Sequence, residues 1–186
     1  MNGPTWLFTP PPRLAPTDDS VGDTPEDRWV RAIDEDEGEH RPALTRLGRS
    51  QPELMAWIGA QVGQERAERQ LAGVARYQVA VALRVLELLD EPAPRVGAAA
   101  LSAAEGCVSR AAERVVDDEG TFEERARRLR KVRPALLDGL LASMFAPGPS
   151  LLDETRTARA WVLVWVAVEA IELARGQRGT NERESA

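Results

Sequence analysis

The chain has 186 residues, with 24 basic and 30 acidic side chains, 43% hydrophobic residues and one cysteine. This composition is typical of a single domain that can bury a core, and it excludes intrachain disulfides and zinc sites of the multi-cysteine type. The longest apolar run, Ala160 to Val168, has nine residues, whereas a membrane-spanning helix needs about 20. We therefore expect a cytoplasmic protein with no membrane contact.

The net negative charge is concentrated at one end of the chain. Residues 1–40 carry ten acidic and three basic side chains and six of the 13 prolines, whereas residues 41–186 carry 20 acidic and 21 basic side chains. A segment of this composition buries too little apolar surface to offset the entropy lost on ordering. Residues 1–40 are therefore predicted to form a flexible acidic, proline-rich arm.

A short helix is predicted inside the arm. Thr24 can cap it and Pro25 suits its first position, and Trp29, Val30 and Ile33 would then share one face. The acidic residues from 34 to 39 follow at its C-terminal end, where the helix dipole disfavours negative charge. We expect this helix to fray unless it docks on the rest of the protein.

The remainder of the chain shows helical periodicity and no alternation of period two. The sequence predicts an all-α bundle of four to five core helices over residues 41–176, packed up and down, followed by a disordered polar tail over residues 177–186. Ser50 and Glu53 have the spacing of a capping box. The helix that they open could extend to Leu89, with a break near Gly73.

Prolines and glycines separate the later helices. The predicted elements are an alanine-rich helix over Val96 to Val116, a helix opened by the capping box of Thr121 and Glu124, a helix that resumes after Pro134, the loop Pro147–Gly148–Pro149, and a last helix from Ser150 to near Gly176.

Two pairs of carboxylates form the first candidate site. Glu65 and Glu68 are followed 18 residues later by Glu87 and Asp90, and carboxylates at positions i and i+3 of a helix can share Mg²⁺. This pattern resembles the metal motif of the all-α nucleoside triphosphate pyrophosphohydrolases over 26 residues. The resemblance implies that the four carboxylates hold magnesium, which activates water for attack at phosphorus. That family has a turn between the two pairs, and Gly73 is the residue that could provide one here.

A basic run forms the second candidate site. Six positive side chains occur within nine residues, namely Arg125, Arg127, Arg128, Arg130, Lys131 and Arg133. Such a run can bind a polyanion by releasing its counterions. The residues after 40 are nearly neutral as a whole, however, and no aromatic side chains alternate with the arginines for base stacking. A solvated or intramolecularly paired helix is therefore favoured over nucleic-acid binding.

Trp161 and Trp165 share a stripe of the last helix with Glu172, and Glu169 follows one turn after Trp165. Tryptophans at helical spacing usually belong to the core. The alternative is a ligand pocket in which Glu169, beside apolar walls, has a raised pKa and acts as an acid. His40 has no second histidine with which to form a histidine-based metal site, and Cys107 is expected to pack as a small apolar residue.

Trp6, Leu7 and Phe8 are three large apolar residues in the otherwise polar arm. Such residues in a flexible segment indicate docking, either on a partner or on the chain's own domain. We therefore expect a non-catalytic, adaptor-like regulatory protein that binds a protein partner, with a homo-oligomer left open and no resident cofactor. The alternatives are a magnesium-dependent pyrophosphohydrolase-like enzyme and, third, a nucleic-acid-binding accessory subunit.

Overall fold

Eight helices make up the part of the chain that the structure describes. This computed structural model describes residues 24–113, 119–129, 131–146 and 151–184, without the side chains of residues 37, 39 and 178–184. The helices are α1 (Pro25–Glu35), α2 (Glu37–Ser50), α3 (Pro52–Ala60), α4 (Arg66–Leu88), α5 (Ala98–Glu113), α6 (Phe122–Arg128), α7 (Pro134–Met144) and α8 (Glu154–Glu184). No strand occurs within these ranges. The predicted all-α class is confirmed.

The two longest helices, α4 and α8, form the centre of the bundle. α8 packs against α4, α5 and α7, and α4 also contacts α1, α2 and α3. Because neighbours surround it, α4 is buried on every face from Val79 to Leu86. One set of buried side chains on α8 is Trp161, Val164, Trp165, Val168 and Ile171. Their spacing of three and four residues places them on one face of the helix.

α1 is part of the packed bundle, although its composition groups it with the arm. The helix begins after Thr24, as predicted. The Thr24 hydroxyl accepts a hydrogen bond from the Asp27 amide, and the Asp27 carboxylate accepts one from the Thr24 amide, both at 3.1 Å. Val30 and Ile33 are buried where α1 packs against α7 and α4. The contacts that stabilise α1 therefore come from other helices of the same chain.

Asp34 connects α1 to two other helices. Its carboxylate accepts hydrogen bonds from the Tyr77 hydroxyl on α4, at 2.9 Å, and from the Ser143 hydroxyl on α7. Burial, followed by the nearby charge of Asp34, raises the pKa of Tyr77, so this hydroxyl stays protonated and remains a donor. His40 packs edge-on against the Tyr77 ring, with the ring centroids 4.6 Å apart. The charge of Asp34 would destabilise the C-terminal end of an isolated α1. In the folded protein the same carboxylate accepts hydrogen bonds from two other helices.

The break predicted near Gly73 is wrong. The long apolar pattern is divided earlier, at residues 61–65, and α4 runs through Gly73 without interruption. The side of Gly73 that a Cβ would occupy faces open space. A glycine in a helix costs only about 1 kcal/mol relative to alanine, which is too little to divide a helix that is packed on both sides of that position.

The capping box predicted at Ser50 and Glu53 is also wrong, because α2 includes Ser50 and the N-cap of α3 is Gln51. The Gln51 side chain instead binds the backbone of the segment between α4 and α5. Its amide nitrogen donates to the Pro94 carbonyl at 2.8 Å, and its amide oxygen accepts from the Val96 amide at 2.9 Å. Both of these bonds are buried.

The later elements follow the prediction except at the two ends of α8. This helix begins at Glu154, four residues after the predicted start. The Thr121 hydroxyl accepts from the Glu124 amide at 3.3 Å and the Glu124 carboxylate accepts from the Thr121 amide at 2.9 Å, which confirms that capping box. α8 does not end near Gly176 but continues to Glu184. The loop predicted at residues 147–149 lies outside the described residues. None of the helices described here is long and apolar enough to cross a membrane.

Candidate functional site

The two carboxylate pairs lie at opposite ends of α4. Glu65 is the N-cap residue and Glu68 lies in the first turn. Glu87 lies in the last turn, and Asp90 follows the helix. Since α4 is continuous, about 28 Å separates Glu68 from Glu87 along its axis. The structure does not bring the pairs together, and its described residues contain no group of three or more His, Cys, Asp or Glu suited to holding a metal ion.

Two of these four carboxylates form ion pairs with arginines. Glu68 binds both terminal nitrogens of Arg159 on α8, at 2.8 and 3.0 Å. This hydrogen bonding lowers the pKa of Glu68, so the carboxylate is charged at neutral pH. Glu87 accepts from Arg84, one turn earlier on α4, at 3.3 Å. The first pair joins the beginning of α4 to the beginning of α8.

The basic run divides into a helical part and a connection. Arg125, Arg127 and Arg128 lie on α6, Lys131 and Arg133 lie between α6 and α7, and Arg130 lies outside the described residues. Arg127 pairs with Glu123 one turn earlier, at 2.6 Å. Arg128 donates to the Glu119 carbonyl at 3.1 Å. The exposed arginines of α6 are therefore engaged within their own segment.

Lys131 is withdrawn from solvent, since only 1% of its side chain is exposed. Its ammonium group donates to the Ala126 carbonyl at 2.8 Å and forms an ion pair with Asp138 on α7. It also lies 5.9 Å from the centroid of the Trp161 ring, within the range of a cation–π interaction. A polyanion could reach this charge only by displacing these contacts.

Arg133 belongs to a network of four charges that joins three helices. It binds Glu91, which follows α4, and Glu172 on α8, the latter at 3.2 Å. Arg175 contacts the same two carboxylates, each at 2.9 Å. Arg133 also has a left-handed backbone, with φ of 47°. The network thus holds an unfavourable backbone conformation in place, and the geometry favours the interpretation of the basic run as intramolecularly paired.

Trp161 and Trp165 lie in the core, at 0% and 2% exposure. Their ring centroids are 5.3 Å apart, and Phe122 of α6 meets Trp161 edge-on at 5.6 Å. Phe145 at the end of α7 stacks on Phe122 at 5.8 Å. Aromatic pairs at these distances stabilise a core beyond the area that they bury. These four rings hold α6 against α7 and α8.

Two apolar depressions share Phe122 and Val162 as walls. We call the first the aromatic cavity; it has about 160 Å³ between α5, α6 and α8, and its walls are Ala112, Phe122, Arg125, Ala126, Leu129, Trp161, Val162 and Trp165. The second, the Phe122 groove, has about 360 Å³ and opens at the surface between α4, α6 and α8. Its walls are Gln61, Leu71, Phe122, Thr155, Ala158, Arg159, Val162 and Leu163. Both depressions are candidate binding sites.

Glu169 lies one turn after Trp165 and is half-buried. Burial, followed by the charge of Glu172, raises its pKa above 4.5. It is not among the residues that line the aromatic cavity or the Phe122 groove. The raised pKa is therefore a property of its packing on α8 rather than of a described binding site.

We expect Glu169→Gln to reduce the pH dependence of stability. A carboxyl whose pKa is higher in the folded protein binds more protons there than in the unfolded chain. The free energy of unfolding therefore falls as pH rises from the unfolded-state pKa, near 4.5, through the folded-state value. Urea unfolding over a pH series should show a shallower fall and higher stability at pH 7 for the variant. The exposed Glu154→Gln is the control, and a slope equal to that of the unmodified protein would contradict the prediction.

The other singled-out residues are less informative. Trp6, Leu7 and Phe8 lie outside the described residues. Cys107 is half-buried, and its sulfur accepts a weak hydrogen bond from Arg110 at 3.5 Å.

The pairing of Arg159 with Glu68 was not predicted, because the two residues lie 91 positions apart and their spacing does not indicate a contact. It was also not predicted that Phe122 would form a wall of two depressions.

No family model, curated protein or solved structure matches this chain.

Proposed function

We propose that the chain is a non-catalytic, adaptor-like cytoplasmic protein that binds a protein partner through helix faces and through its N-terminal arm. The observation that carries this proposal is the Phe122 groove. Its walls are mainly apolar, and they are supplied by helices that the core holds in place. An apolar depression on rigid helices suits the apolar side chains of an amphipathic partner segment.

An exposed apolar residue close in sequence to the groove wall supports the same proposal. Leu151 is 73% exposed and is the most exposed large hydrophobic residue in the described ranges. It lies four residues before Thr155, which is part of the groove wall. Arg159 supplies a half-exposed charge at the same wall. An apolar centre with a charged rim is the usual anatomy of a protein interface.

The arm offers a second contact. Trp6, Leu7 and Phe8 can serve as an apolar anchor, and the surrounding prolines reduce the entropy lost on binding. If this anchor enters the groove of a second copy, the result is a homo-oligomer. The carboxylates at opposite ends of α4 and the internally paired basic run give no comparable support to a magnesium enzyme or a nucleic-acid-binding subunit.

Photo-crosslinking in the native cells tests the proposal. A photoreactive residue is placed at position 158 in the groove, at position 7 in the arm, or at the exposed position 45 on α2 as a control. We expect protein adducts from positions 158 and 7 but not from position 45, and we expect the adducts from position 7 to be lost when Trp6 and Phe8 are alanine. Adducts to the chain itself indicate a homo-oligomer. Equal background from all three positions would overturn the proposal.

A further inference from the structure

Another depression lies between α3 and α5, away from the two that Phe122 lines. It has about 280 Å³, and we call it the Trp57 groove. Its walls include Glu53 and Trp57 on α3 and Ala98, Leu101, Ser102 and Glu105 on α5. The four residues on α5 recur at a spacing of three or four, so they lie on one face of that helix. The groove therefore follows α5 for about two turns.

A carboxylate lies at each end of the groove. Glu53 accepts a hydrogen bond from the Ala98 amide, at the beginning of α5, at 3.2 Å. Glu105 lies seven positions further along α5, which places the two carboxylates about 10 Å apart along the helix axis. One oxygen of Glu105 accepts from the Trp57 indole and from the Gln61 side chain, both at 3.0 Å. These donors hold the two negative charges at fixed places.

Both carboxylates can accept a further hydrogen bond. The second oxygen of Glu105, Oε2, has no partner among the described residues. Arg95 lies 3.8 Å from Glu53, which is too far for a hydrogen bond, and the two side chains are 63% and 49% exposed. An exposed pair of this kind contributes little, so a cationic ligand can replace Arg95 at Glu53.

The surface between the two carboxylates is apolar. Leu101 is buried and Trp57 is half-buried, and both line the groove. Methylene groups gain free energy when such a surface removes them from water. A tryptophan ring also attracts a cation that lies over its face. The groove thus suits a ligand with an aliphatic middle and a positive charge at each end.

We propose that the Trp57 groove binds a linear aliphatic diamine in its diammonium form, with one ammonium group at Glu53 and the other at Glu105. The methylene chain lies along Trp57 and Leu101. Two hydrogen bonds of about 2.8 Å leave about 5 Å between the two nitrogens, which a chain of about three or four methylenes spans. This site goes beyond the proposed docking of a protein partner in the Phe122 groove, because it takes a small dication between other walls.

The test uses nuclear magnetic resonance of the full-length chain labelled with ¹⁵N. Trp57→Phe identifies the indole N–H signal of Trp57 among those of the five tryptophans. The protein is titrated with 1,4-diaminobutane and with n-butylamine, which has the same chain but a single charge. We expect the diamine to shift the Trp57 signal, since its acceptor Glu105 gains a cation. We also expect the diamine to bind roughly fivefold more tightly than n-butylamine, the upper range for one exposed ion pair.

Three variants locate the binding. Glu53→Gln removes one charge of the groove and keeps the acceptor for the Ala98 amide, whereas Glu35→Gln removes the same charge from an exposed position on α1. We expect Glu53→Gln to weaken binding of the diamine roughly fivefold and Glu35→Gln to leave it unchanged. Arg95→Ala removes the cation that competes for Glu53 and should tighten binding roughly twofold.

Thermal unfolding shows whether the three variants are folded. The proposal is overturned if 1,4-diaminobutane does not move the Trp57 signal or if the two amines bind alike. It is also overturned if Glu53→Gln and Glu35→Gln have equal effects, or if Arg95→Ala does not tighten binding.

Discussion

Trp161→Ala is expected to lower the free energy of unfolding by about 4 kcal/mol, in the range found when a fully buried aromatic side chain is removed. The side chain has 0% exposure and contacts the rings of Trp165 and Phe122 and the ammonium group of Lys131. Removal of the ring therefore leaves a void and also takes the cation–π partner from a buried lysine. Urea unfolding followed by circular dichroism measures the effect.

The matched control for this variant is Trp57→Ala, which removes the same side chain from a half-buried position on α3. Since less area is buried there, we expect a clearly smaller loss of stability. If both variants lose the same amount, the four-ring contact between α6, α7 and α8 does not stabilise the core as described. A loss below about 1.5 kcal/mol for Trp161→Ala would have the same meaning, because full burial of such a side chain is worth more than this.

Ile33→Ala is expected to lower the free energy of unfolding by about 3 kcal/mol, as for other large aliphatic residues in a packed core. Ile33 has 0% exposure at the contact of α1 with α4 and α7. The exposed Glu35→Ala on the same helix is the control, and we expect it to change stability by less than about 0.5 kcal/mol. Equal small effects for both variants would show that α1 is not docked in solution.

The docking of α1 changes how the arm must be removed in an experiment. Deletion of residues 1–40 would also remove Val30, Ile33 and Asp34, and with them part of the core and the acceptor for Tyr77 and Ser143. Any loss of binding by such a variant would then be confounded by loss of stability. A deletion that ends before Thr24 keeps the capping box of α1 and tests the arm alone.

Helix type was predictable from the sequence because it depends on local signals. The capping boxes at Thr24 and at Thr121, and the prolines that open α1 and α7, act over three or four residues. The division between α3 and α4 was not predictable in this way. Residues 61–65 contain Gly63 but no proline. A single glycine is as weak a signal there as it is at Gly73, where α4 continues.

The acidic composition of residues 1–40 concealed the docking of α1 for a related reason. The average charge of a segment indicates how favourably the segment interacts with water. Docking depends instead on a few side chains and on the residues that they contact. Val30 and Ile33 are buried in the contact, and the Asp34 carboxylate accepts from two hydroxyl groups on helices that lie far along the chain. Which hydroxyls those are cannot be read from the local sequence.

The candidate sites show the same limit. The spacing of Glu65, Glu68, Glu87 and Asp90 is compatible with a metal site only if the chain turns between the two pairs, and a continuous α4 separates them instead. For the aromatic cavity, sequence periodicity correctly assigns Trp161 and Trp165 to the core. It does not reveal a void beside them, because void volume depends on how small residues such as Ala112 and Ala126 meet across helices.

Gln51 shows how a side chain can order a non-helical segment. The segment between α4 and α5 has peptide groups that no helix satisfies and that a neighbouring strand would pair with in a sheet. A glutamine amide has the same donor and acceptor as a peptide group, and Gln51 presents both to Pro94 and Val96. These two hydrogen bonds take the place of those that a neighbouring strand would make. Glutamate lacks the donor and asparagine is one methylene shorter, so neither side chain can replace glutamine in both of these hydrogen bonds.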